Sequence, residues 1–333
     1  MIGRSQPPHS HRHSAGAQLI LRVLESLPPY RWTRARLLRW GLTGRTAVVA
    51  IPYLWLLLFF LVPFIIVLKI AFSEPQIAMP PYQPLLQWSQ DQVVNIKLSL
   101  KNFAFLFTDA LYIKAYLNSL RIAAISTLLC LLIGYPIAYA IARAESTWRN
   151  VLLMMIILPF WTSFLIRVYA WMGLLASNGI LNQFLRATGL VDAPGTILGT
   201  EWAVHLGIVY GYLPFMVLPL YAALEKLDTS LLEAAADLGA SPLVAFFTVT
   251  LPQSLPGILA GCLLVFIPAV GEFVIPDLLG GTGTLMIGKV LWDEFFLNAD
   301  WPLASAVAIC LLVLLVGPIA LFQRQQGRNL ERR

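Results

Sequence analysis

Charged residues are scarce in this chain, and their scarcity excludes an ordinary water-soluble globular protein. Asp, Glu, Lys and Arg make up 12% of the 333 residues, whereas 58% of the residues are hydrophobic. Soluble domains carry about 25% charged residues. A chain of this composition lacks the polar groups to cover its own surface, so much of that surface must face lipid. The sequence therefore predicts an integral membrane protein.

Cysteine and histidine are also rare, which excludes several kinds of site. The chain has 3 Cys and 4 His. Cys130, Cys262 and Cys310 each lie inside an apolar run, at a spacing that fits neither a metal site nor a disulfide framework. The histidines do not pair at ligand spacing, and no pair of a nucleophile and a base stands out. We therefore expect no metal site, no catalytic residues and no cofactor in this chain.

The chain contains long apolar runs. A helix needs about 20 apolar residues to span a bilayer. The first run is too long for the apolar region of a signal peptide and has no small-residue cleavage site near its end, so we expect it to remain as a span. The runs predict an all-α, polytopic bundle of six transmembrane helices. The six segments are 47–72, 120–142, 151–176, 202–224, 254–276 and 302–322.

The basic residues predict how these spans are oriented. If the N-terminus is cytoplasmic, the inner segments hold 15 Lys and Arg and the outer loops hold 5. Cytoplasmic loops carry the excess of Lys and Arg, so both termini are predicted to be cytoplasmic. Positive charge concentrated near the termini fits an anionic membrane surface, and we expect no nucleic-acid partner. The predicted parts are a basic N-terminal segment (1–46), a first span (47–72), an outer loop (73–119), a five-span core (120–323) and a basic tail (324–333).

The inner loop 225–252 is longer than a connection between two spans requires. Ser230 is predicted to cap a helix, with Glu233 three residues later completing a capping box. Gly239 suits the end of that helix, where φ is positive. A Ser-Pro pair then predicts a second short helix over 241–249, because proline suits the first helical position. These residues alone leave two interpretations open, a docking surface or a connector that is helical.

The spacing within this loop resembles the signature loop of permease subunits of binding-protein-dependent ABC importers. The matching residues are Glu233-Ala234-Ala235, Gly239, Val249 and Leu251-Pro252. The resemblance implies a type I ABC importer permease fold in a bacterial inner membrane, with the outer loop in the periplasm. It also implies cytoplasmic coupling helices that contact an ATPase. The implied contact residues are Glu233, Ala234, Ala235, Asp237, Gly239, Ser241, Leu251 and Pro252.

The resemblance further implies the partners of this chain. They are a second, homologous permease subunit that completes a heterodimer, two copies of a cytoplasmic ATPase subunit, and a periplasmic binding protein. ATP and Mg²⁺ would bind the ATPase subunit. The segment 283–289 does fit the first seven positions of a phosphate-binding loop, but Val290 follows where Ser or Thr must hold Mg²⁺. We therefore predict no ATP site and no enzymatic activity in this chain.

Two further segments, 158–171 and 271–281, resemble the polyamine branch of the same family. They read LPFWTSFLIRVYAW and GEFVIPDLLGG. The resemblance covers about residues 51 to 325 and implies a putrescine importer served by a periplasmic polyamine-binding protein. The alternatives are a spermidine-preferring importer, a self-sufficient secondary carrier for cations and a membrane scaffold without transport activity.

Two charged residues, Arg167 and Glu272, interrupt predicted spans, whereas Lys69 and Arg121 lie near the ends of theirs. A charge at membrane depth costs about 2.5–3.5 kcal/mol and usually faces a cavity or a partner. Two interpretations are open: the two residues form an ion pair, or Glu272 lines the substrate path. A dication requires carboxylates and aromatic faces, although aromatic residues in spans are commonly packing or interface residues. The candidate substrate-path residues are Glu272, Asp277, Trp161, Tyr169, Trp171, Tyr210 and Tyr212.

Overall fold

The computed structural model describes residues 44–88, 94–96, 98–189 and 197–331. The basic N-terminal segment predicted over 1–46 therefore lies almost wholly outside the described residues. The chain divides into two units, Met1–Val67 and Leu68–Arg333.

The first unit consists, where it is described, of one long helical stretch. Helix α1 (Gly44–Leu56) continues through a π-helical turn (Leu57–Leu61) into helix α2 (Val62–Ala71), which extends into the second unit. The stretch Val48–Ala71 is long and apolar enough to cross a membrane. It coincides with the first predicted span, 47–72.

The second unit is mostly helical, with one small hairpin in the predicted outer loop. Strands β1 (Leu86–Trp88) and β2 (Val94–Ile96) pair antiparallel, with Gln87 opposite Asn95. A helical fold is thus confirmed. In chain order the helices are α3 (Lys101–Thr108), α4 (Ala110–Arg143), α5 (Ser146–Ile157), α6 (Phe164–Leu175), α7 (Ile180–Ala187), α8 (Glu201–Glu225), α9 (Ser230–Asp237), α10 (Pro242–Ala245), α11 (Leu251–Val270), α12 (Val274–Leu279), α13 (Ile287–Trp292) and α14 (Trp301–Glu331).

Helices α4, α8 and α11 pack against one another and form the core of the second unit. Two clusters of buried side chains fill the space between them and their neighbours. One cluster contains Ile122 and Ile208, and the other contains Met216 and Val265. These helices are apolar on nearly all sides, which is expected where one side meets protein and the other meets lipid.

Two glycines of α11 allow a close approach to α8. A Cβ atom at Gly257 would lie 2.6 Å from the Cβ of Ala223 and 2.8 Å from the carbonyl oxygen of Pro219. A Cβ atom at Gly261 would lie 2.8 Å from the sulfur of Met216. These distances are shorter than van der Waals contact, so only glycine fits at this separation. Small residues spaced four apart are typical of closely packed membrane helices.

We expect Gly257→Ala to destabilise the second unit by about 1–3 kcal/mol, the usual cost of overpacking a filled interface. Gly173→Ala is the matched control, because Gly173 is also helical but no atom lies within 4 Å of its Cβ position. The control is expected to be neutral or slightly stabilising, since alanine favours helix over glycine. The apparent Tm of the detergent-solubilised protein should fall for Gly257→Ala only, and equal Tm values would contradict the close approach.

The third predicted span, 151–176, is wrong as one continuous helix. Helix α5 gives way to a 3₁₀ turn (Leu158–Trp161), and the chain is extended at Thr162 and Ser163 before α6 begins. Pro159 has no backbone N–H to donate, which weakens the helix at this point. The hydroxyl of Thr162 donates to the carbonyl of Pro159 at 2.8 Å and stabilises the turn. The chain therefore breaks in the middle of this apolar segment.

The second predicted span starts too late. Helix α4 begins at Ala110 rather than at residue 120, because the carboxylate of Asp109 accepts a hydrogen bond from the N–H of Leu111 at 2.8 Å. Lys114 and Arg121 lie within the first four turns of this helix. Their charges lower the hydropathy there, so hydropathy alone does not locate the start of the helix. Part of the predicted outer loop is thus a helical extension of the span.

The fifth predicted span, 254–276, ends too late, because α11 stops at Val270 and a break precedes α12. The sixth, 302–322, lies within the single helix α14, whose stretch Trp301–Gly317 is apolar. Among the residues that the structure describes, five helical stretches are long and apolar enough to cross a membrane. They are Val48–Ala71, Ala110–Arg143, Phe164–Ala187, Glu201–Glu225 and Pro242–Val270.

Candidate coupling surface and candidate substrate path

The first helix of the loop 225–252 ends as the sequence predicts. Gly239 follows α9 with a φ of +79°. Its N–H donates to the carbonyl of Ala236 at 2.9 Å, and the N–H of Ala240 donates to the carbonyl of Ala235 at 3.0 Å. This pair of bonds is the Schellman ending, in which a residue of positive φ turns the chain. Gly239 therefore fixes the angle at which the two helices of the loop meet.

The start of α9 differs from the prediction. Thr229, not Ser230, is the capping residue, and it makes no side-chain capping bond, so the predicted capping box with Glu233 is wrong. The carboxylate of Asp228 instead accepts from the N–H of Ser230 at 2.9 Å. Hydrogen bonds from Ser230 lower the pKa of Asp228 below its ordinary value. Asp228 thus keeps its negative charge at the N-terminus of α9, where the helix dipole favours an anion. Glu233, the other residue of the predicted capping box, is exposed.

The second helix of the loop continues into the next span without a stop. Ser241 caps α10 and Pro242 is its first residue, as predicted. However, α10 passes through a π-helical segment (Phe246–Thr250) directly into α11, so the predicted ending before Leu251 and Pro252 is wrong. The π-helical segment accommodates the proline ring, which would otherwise clash with the carbonyl four residues earlier. The loop and the next span therefore share one continuous helical stretch.

Two contacts brace the base of the loop against neighbouring helices. The ring of Phe246 packs edge-on against Tyr135 and Tyr139 of α4, with ring centroids 5.6 and 6.2 Å away. The guanidinium of Arg149, in α5, forms an ion pair with the carboxylate of Glu225 at 3.0 Å. The loop is thus fixed at its base while its outward face stays open.

The outward face of the loop combines large apolar side chains with two carboxylates. Leu238 is 89% exposed, Leu243 is 71% exposed and Phe247 is 60% exposed. Glu233 and Asp237 are exposed on α9. Exposed apolar groups clustered at the tip of a polar loop are typical of a surface that another protein covers. We call this face, formed by the exposed side chains of 230–248, the coupling surface.

Glu272 lies in the break between α11 and α12 and is only 7% exposed. One carboxylate oxygen accepts from the backbone N–H groups of Val274 and Ile275 at 3.1 and 3.4 Å. The other oxygen accepts from the hydroxyl of Tyr212, in α8. Both oxygens are therefore used within the chain. Glu272 caps α12 and ties the break to the middle of α8.

The ion pair predicted between Arg167 and Glu272 is not formed within the described part of the chain. The break in the fifth predicted span turns Glu272 toward Tyr212 and the α12 amides instead. The guanidinium of Arg167 lies over the rings of Phe160 and Phe164, 5.1 and 5.7 Å from their centroids. Its Nε is buried and has no hydrogen-bond partner. A cation–π contact contributes about 0.5–2 kcal/mol, so the rings compensate only part of the cost of this charge.

The predicted aromatic residues differ in what they contact. Tyr212 is half-buried and donates its hydroxyl hydrogen to Glu272. Trp171 and Tyr210 pack edge-on with ring centroids 5.3 Å apart. Trp161 and Tyr169 are exposed, so they present open faces to a ligand, a partner or lipid.

Asp277, the second predicted carboxylate of the path, is exposed, unlike Glu272. It forms an ion pair with Lys289, in α13, at 2.9 Å. An exposed pair of this kind contributes about 0–1 kcal/mol. Asp277 can therefore exchange Lys289 for another cation at little cost.

A family model described as the binding-protein-dependent transport system inner membrane component matches residues 131–331. The chain belongs to this family. The matched residues of this permease include the coupling surface, Arg167 and Glu272, which are the features just described. They leave out α1, α2 and the hairpin.

The permease also has close relatives along most of its length. It is 44% identical over 276 residues to the spermidine/putrescine transport system permease protein PotB of Haemophilus influenzae, which covers 83% of this chain and 92% of that protein. It is 42% identical over 261 residues to the Escherichia coli K12 protein of the same name, with 78% and 90% covered.

A solved structure shows the same fold. One chain of a bacterial ABC transporter involved in the import of alginate matches the permease with a TM-score of 0.61 at 19% identity, over 88% of this chain and 99% of that chain. At this identity the likeness concerns the fold alone. It confirms the predicted type I ABC importer permease fold.

Sequence reasoning did not single out the two rings that contact Arg167. Phe160 lies in the 3₁₀ turn, beyond the break from α6. Phe164 precedes the arginine by three residues within α6, the spacing that places side chains on one helical face. This spacing was the available signal. No comparable signal exists for the ion pair of Arg149 and Glu225, because these two residues are far apart in the chain.

Proposed function

We propose that this permease is a subunit of an ATP-driven importer that carries polyamines, spermidine and putrescine, across a bacterial inner membrane by alternating access. The observation that carries the proposal is the coupling surface, an exposed apolar and acidic face mounted on a helix that continues into a span. The substrate class rests on the similar permeases, which are named for both polyamines. A substrate restricted to putrescine, which is the narrower prediction, has less support because these relatives are named for spermidine as well.

The proposed assembly contains a second, homologous permease subunit, two copies of a cytoplasmic ATPase subunit and a periplasmic polyamine-binding protein. ATP and Mg²⁺ bind the ATPase subunits, and this chain contributes no catalytic residue. The proposed orientation has both termini and the coupling surface in the cytoplasm, and the excess of basic residues in the inner segments supports it. Closure of the ATPase subunits on ATP pushes the coupling surface, and the continuous helix from Pro242 to Val270 carries the movement into the bundle.

Energetics explain why ATP is required for a substrate that the membrane potential already favours. An inside-negative potential favours entry of a dication by about 4.6 kcal/mol per 100 mV, twice the value for one charge. A facilitator driven by this potential would release its substrate again whenever the potential fell. Coupling to ATP allows capture of scarce polyamine while the path stays closed to the cellular pool.

The proposal predicts that uptake depends on the ATPase subunit and not on the potential alone. In a strain lacking its own polyamine importers, labelled spermidine uptake should require this permease, its sister permease, the binding protein and the ATPase. An ATPase variant unable to hydrolyse ATP should abolish uptake. Excess unlabelled putrescine should compete with spermidine, because both substrates use one path.

Two other outcomes would replace the proposal. Uptake that persists without the ATPase and stops when the potential is collapsed indicates a secondary carrier. An intact uptake rate after deletion of the permease indicates a scaffold. Competition by spermidine without any competition by putrescine would restrict the substrate to spermidine.

A further inference from the structure

Arg167 is a half-buried cation inside an apolar segment, and its contacts among the described residues are with aromatic rings. Its guanidinium lies over Phe160 and Phe164, and its buried Nε has no hydrogen-bond partner. In the part of the chain that the structure describes, no carboxylate forms an ion pair with it. A pair of aromatic faces held this way is a binding site for a cation, and Arg167 fills it.

We propose that the rings of Phe160 and Phe164 form a cation site of the substrate path, which Arg167 occupies in this conformation and a substrate ammonium group occupies in its place. This inference rests on the proposed function, because it requires a polyamine as cargo. A primary ammonium and a guanidinium both bind the negative face of an aromatic ring. The two cations are therefore exchangeable, which a buried ion pair with a carboxylate would not permit.

The position of the two rings allows such an exchange. Phe160 belongs to the 3₁₀ turn and Phe164 to α6, so the rings come from opposite sides of the chain break at Thr162 and Ser163. A movement of the turn relative to α6 changes the distance between the rings. The aromatic faces can thus open or close on a cation without breaking a regular helix.

The site is also connected to the buried carboxylate. Phe160 packs edge-on against Phe215, in α8, with ring centroids 5.3 Å apart. Phe215 lies 6.1 Å from the ring of Tyr212, whose hydroxyl donates to Glu272. Contacts between rings therefore connect Arg167 to Glu272, at the break between α11 and α12.

The inference predicts that removing the resident cation strengthens polyamine binding. Arg167→Gln removes both a competitor for the rings and a like charge. We expect spermidine to bind about fivefold more tightly, which corresponds to about 1 kcal/mol for one cation–π contact. Arg167→Lys keeps a cation on the same stem and is expected to bind within about twofold of the unmodified protein.

The test measures equilibrium binding of labelled spermidine to the complete importer in nanodiscs, without binding protein and without nucleotide. Arg186→Gln is the matched control, because Arg186 is an exposed arginine of α7 whose guanidinium donates to the carbonyl of Ser177 at 3.3 Å. The gain expected for Arg167→Gln should disappear when Phe160→Leu is added. Co-purification of all subunits shows that each variant assembles.

Several outcomes overturn the inference. Binding to Arg167→Gln that is unchanged, weaker or undetectable excludes a resident competitor, and a gain that survives Phe160→Leu excludes the ring site. If Arg167→Gln fails to assemble, Phe160→Leu alone must weaken spermidine binding, and unchanged binding then overturns the site. These results are separate from the proposed function, which is tested by whether the unmodified importer takes up polyamines in dependence on its ATPase.

Discussion

Glu233→Arg is expected to abolish polyamine uptake and to release the ATPase subunit from the purified complex. Glu233 is exposed in the first half of α9, one turn before the exposed Asp237. The loop 225–252 carries four acidic residues against one basic residue, Lys226, so its partner surface is expected to be basic. Reversing a charge at such an interface places like charges together, which costs several kcal/mol. We expect at least about a hundredfold loss of ATPase co-purification.

Gly239→Asp tests the same surface with a different change. Apart from its chain neighbours, no described residue has an atom within 4 Å of the Cβ position of Gly239, so a Cβ atom there has room. Its backbone has positive φ, which aspartate adopts at a cost of about 1–2 kcal/mol. The variant should therefore fold and insert but bind the ATPase poorly, because the added side chain projects from the coupling surface.

The control for both variants is Glu145→Arg. Glu145 is an exposed acidic residue between α4 and α5, outside the loop 225–252. It is expected to keep both uptake and ATPase binding. Normal ATPase co-purification with Glu233→Arg and with Gly239→Asp would show that force does not enter through this loop, and the proposed function would then lose its main support.

Within the loop 225–252, the end of α9 and the start of α10 were predictable because their signals are local. Gly239 ends a helix and Ser241 with Pro242 starts one through bonds between residues at most five apart in the chain. The continuity of α10 with α11 was not predictable in the same way, because Pro252 reads as a helix stop. The tendency of Pro252 to end a helix is overcome by the π-helical segment before it and by the packing of Phe246 on α4.

The candidate substrate path was predictable in composition but not in pairing. The sequence predicts an ion pair between Arg167 and Glu272, because pairing opposite charges reduces the cost of burying each of them. The chain instead breaks beside Glu272 and supplies two backbone N–H groups, which satisfy the carboxylate without a cation. Such a break depends on how α11 ends against α8, and three-dimensional contacts of this kind leave no pattern in one sequence.

Glu272→Gln is expected to lower polyamine uptake by about tenfold or more while the complex still assembles. Glutamine keeps one oxygen that can accept from the α12 amides, but its amide nitrogen cannot accept from Tyr212. The O–H of Tyr212 then loses its acceptor, and a buried donor left unsatisfied costs about 1–3 kcal/mol. Initial rates of spermidine uptake, with subunit co-purification as the control for assembly, measure the effect. A normal uptake rate would show that Glu272 has no part in transport.

Tyr212→Phe distinguishes two reasons for that loss. If Glu272 acts by tying the break between α11 and α12 to α8, Tyr212→Phe removes the same tie. The double variant should then lose little more than Glu272→Gln alone, because changes in one hydrogen-bonded unit are not additive. If Glu272 binds a substrate ammonium directly, the two losses should multiply, and Glu272→Gln should weaken spermidine binding far more than Tyr212→Phe. The saturated hydrogen bonds of Glu272 lead us to expect the non-additive result, in which this carboxylate positions the helices that the substrate must pass.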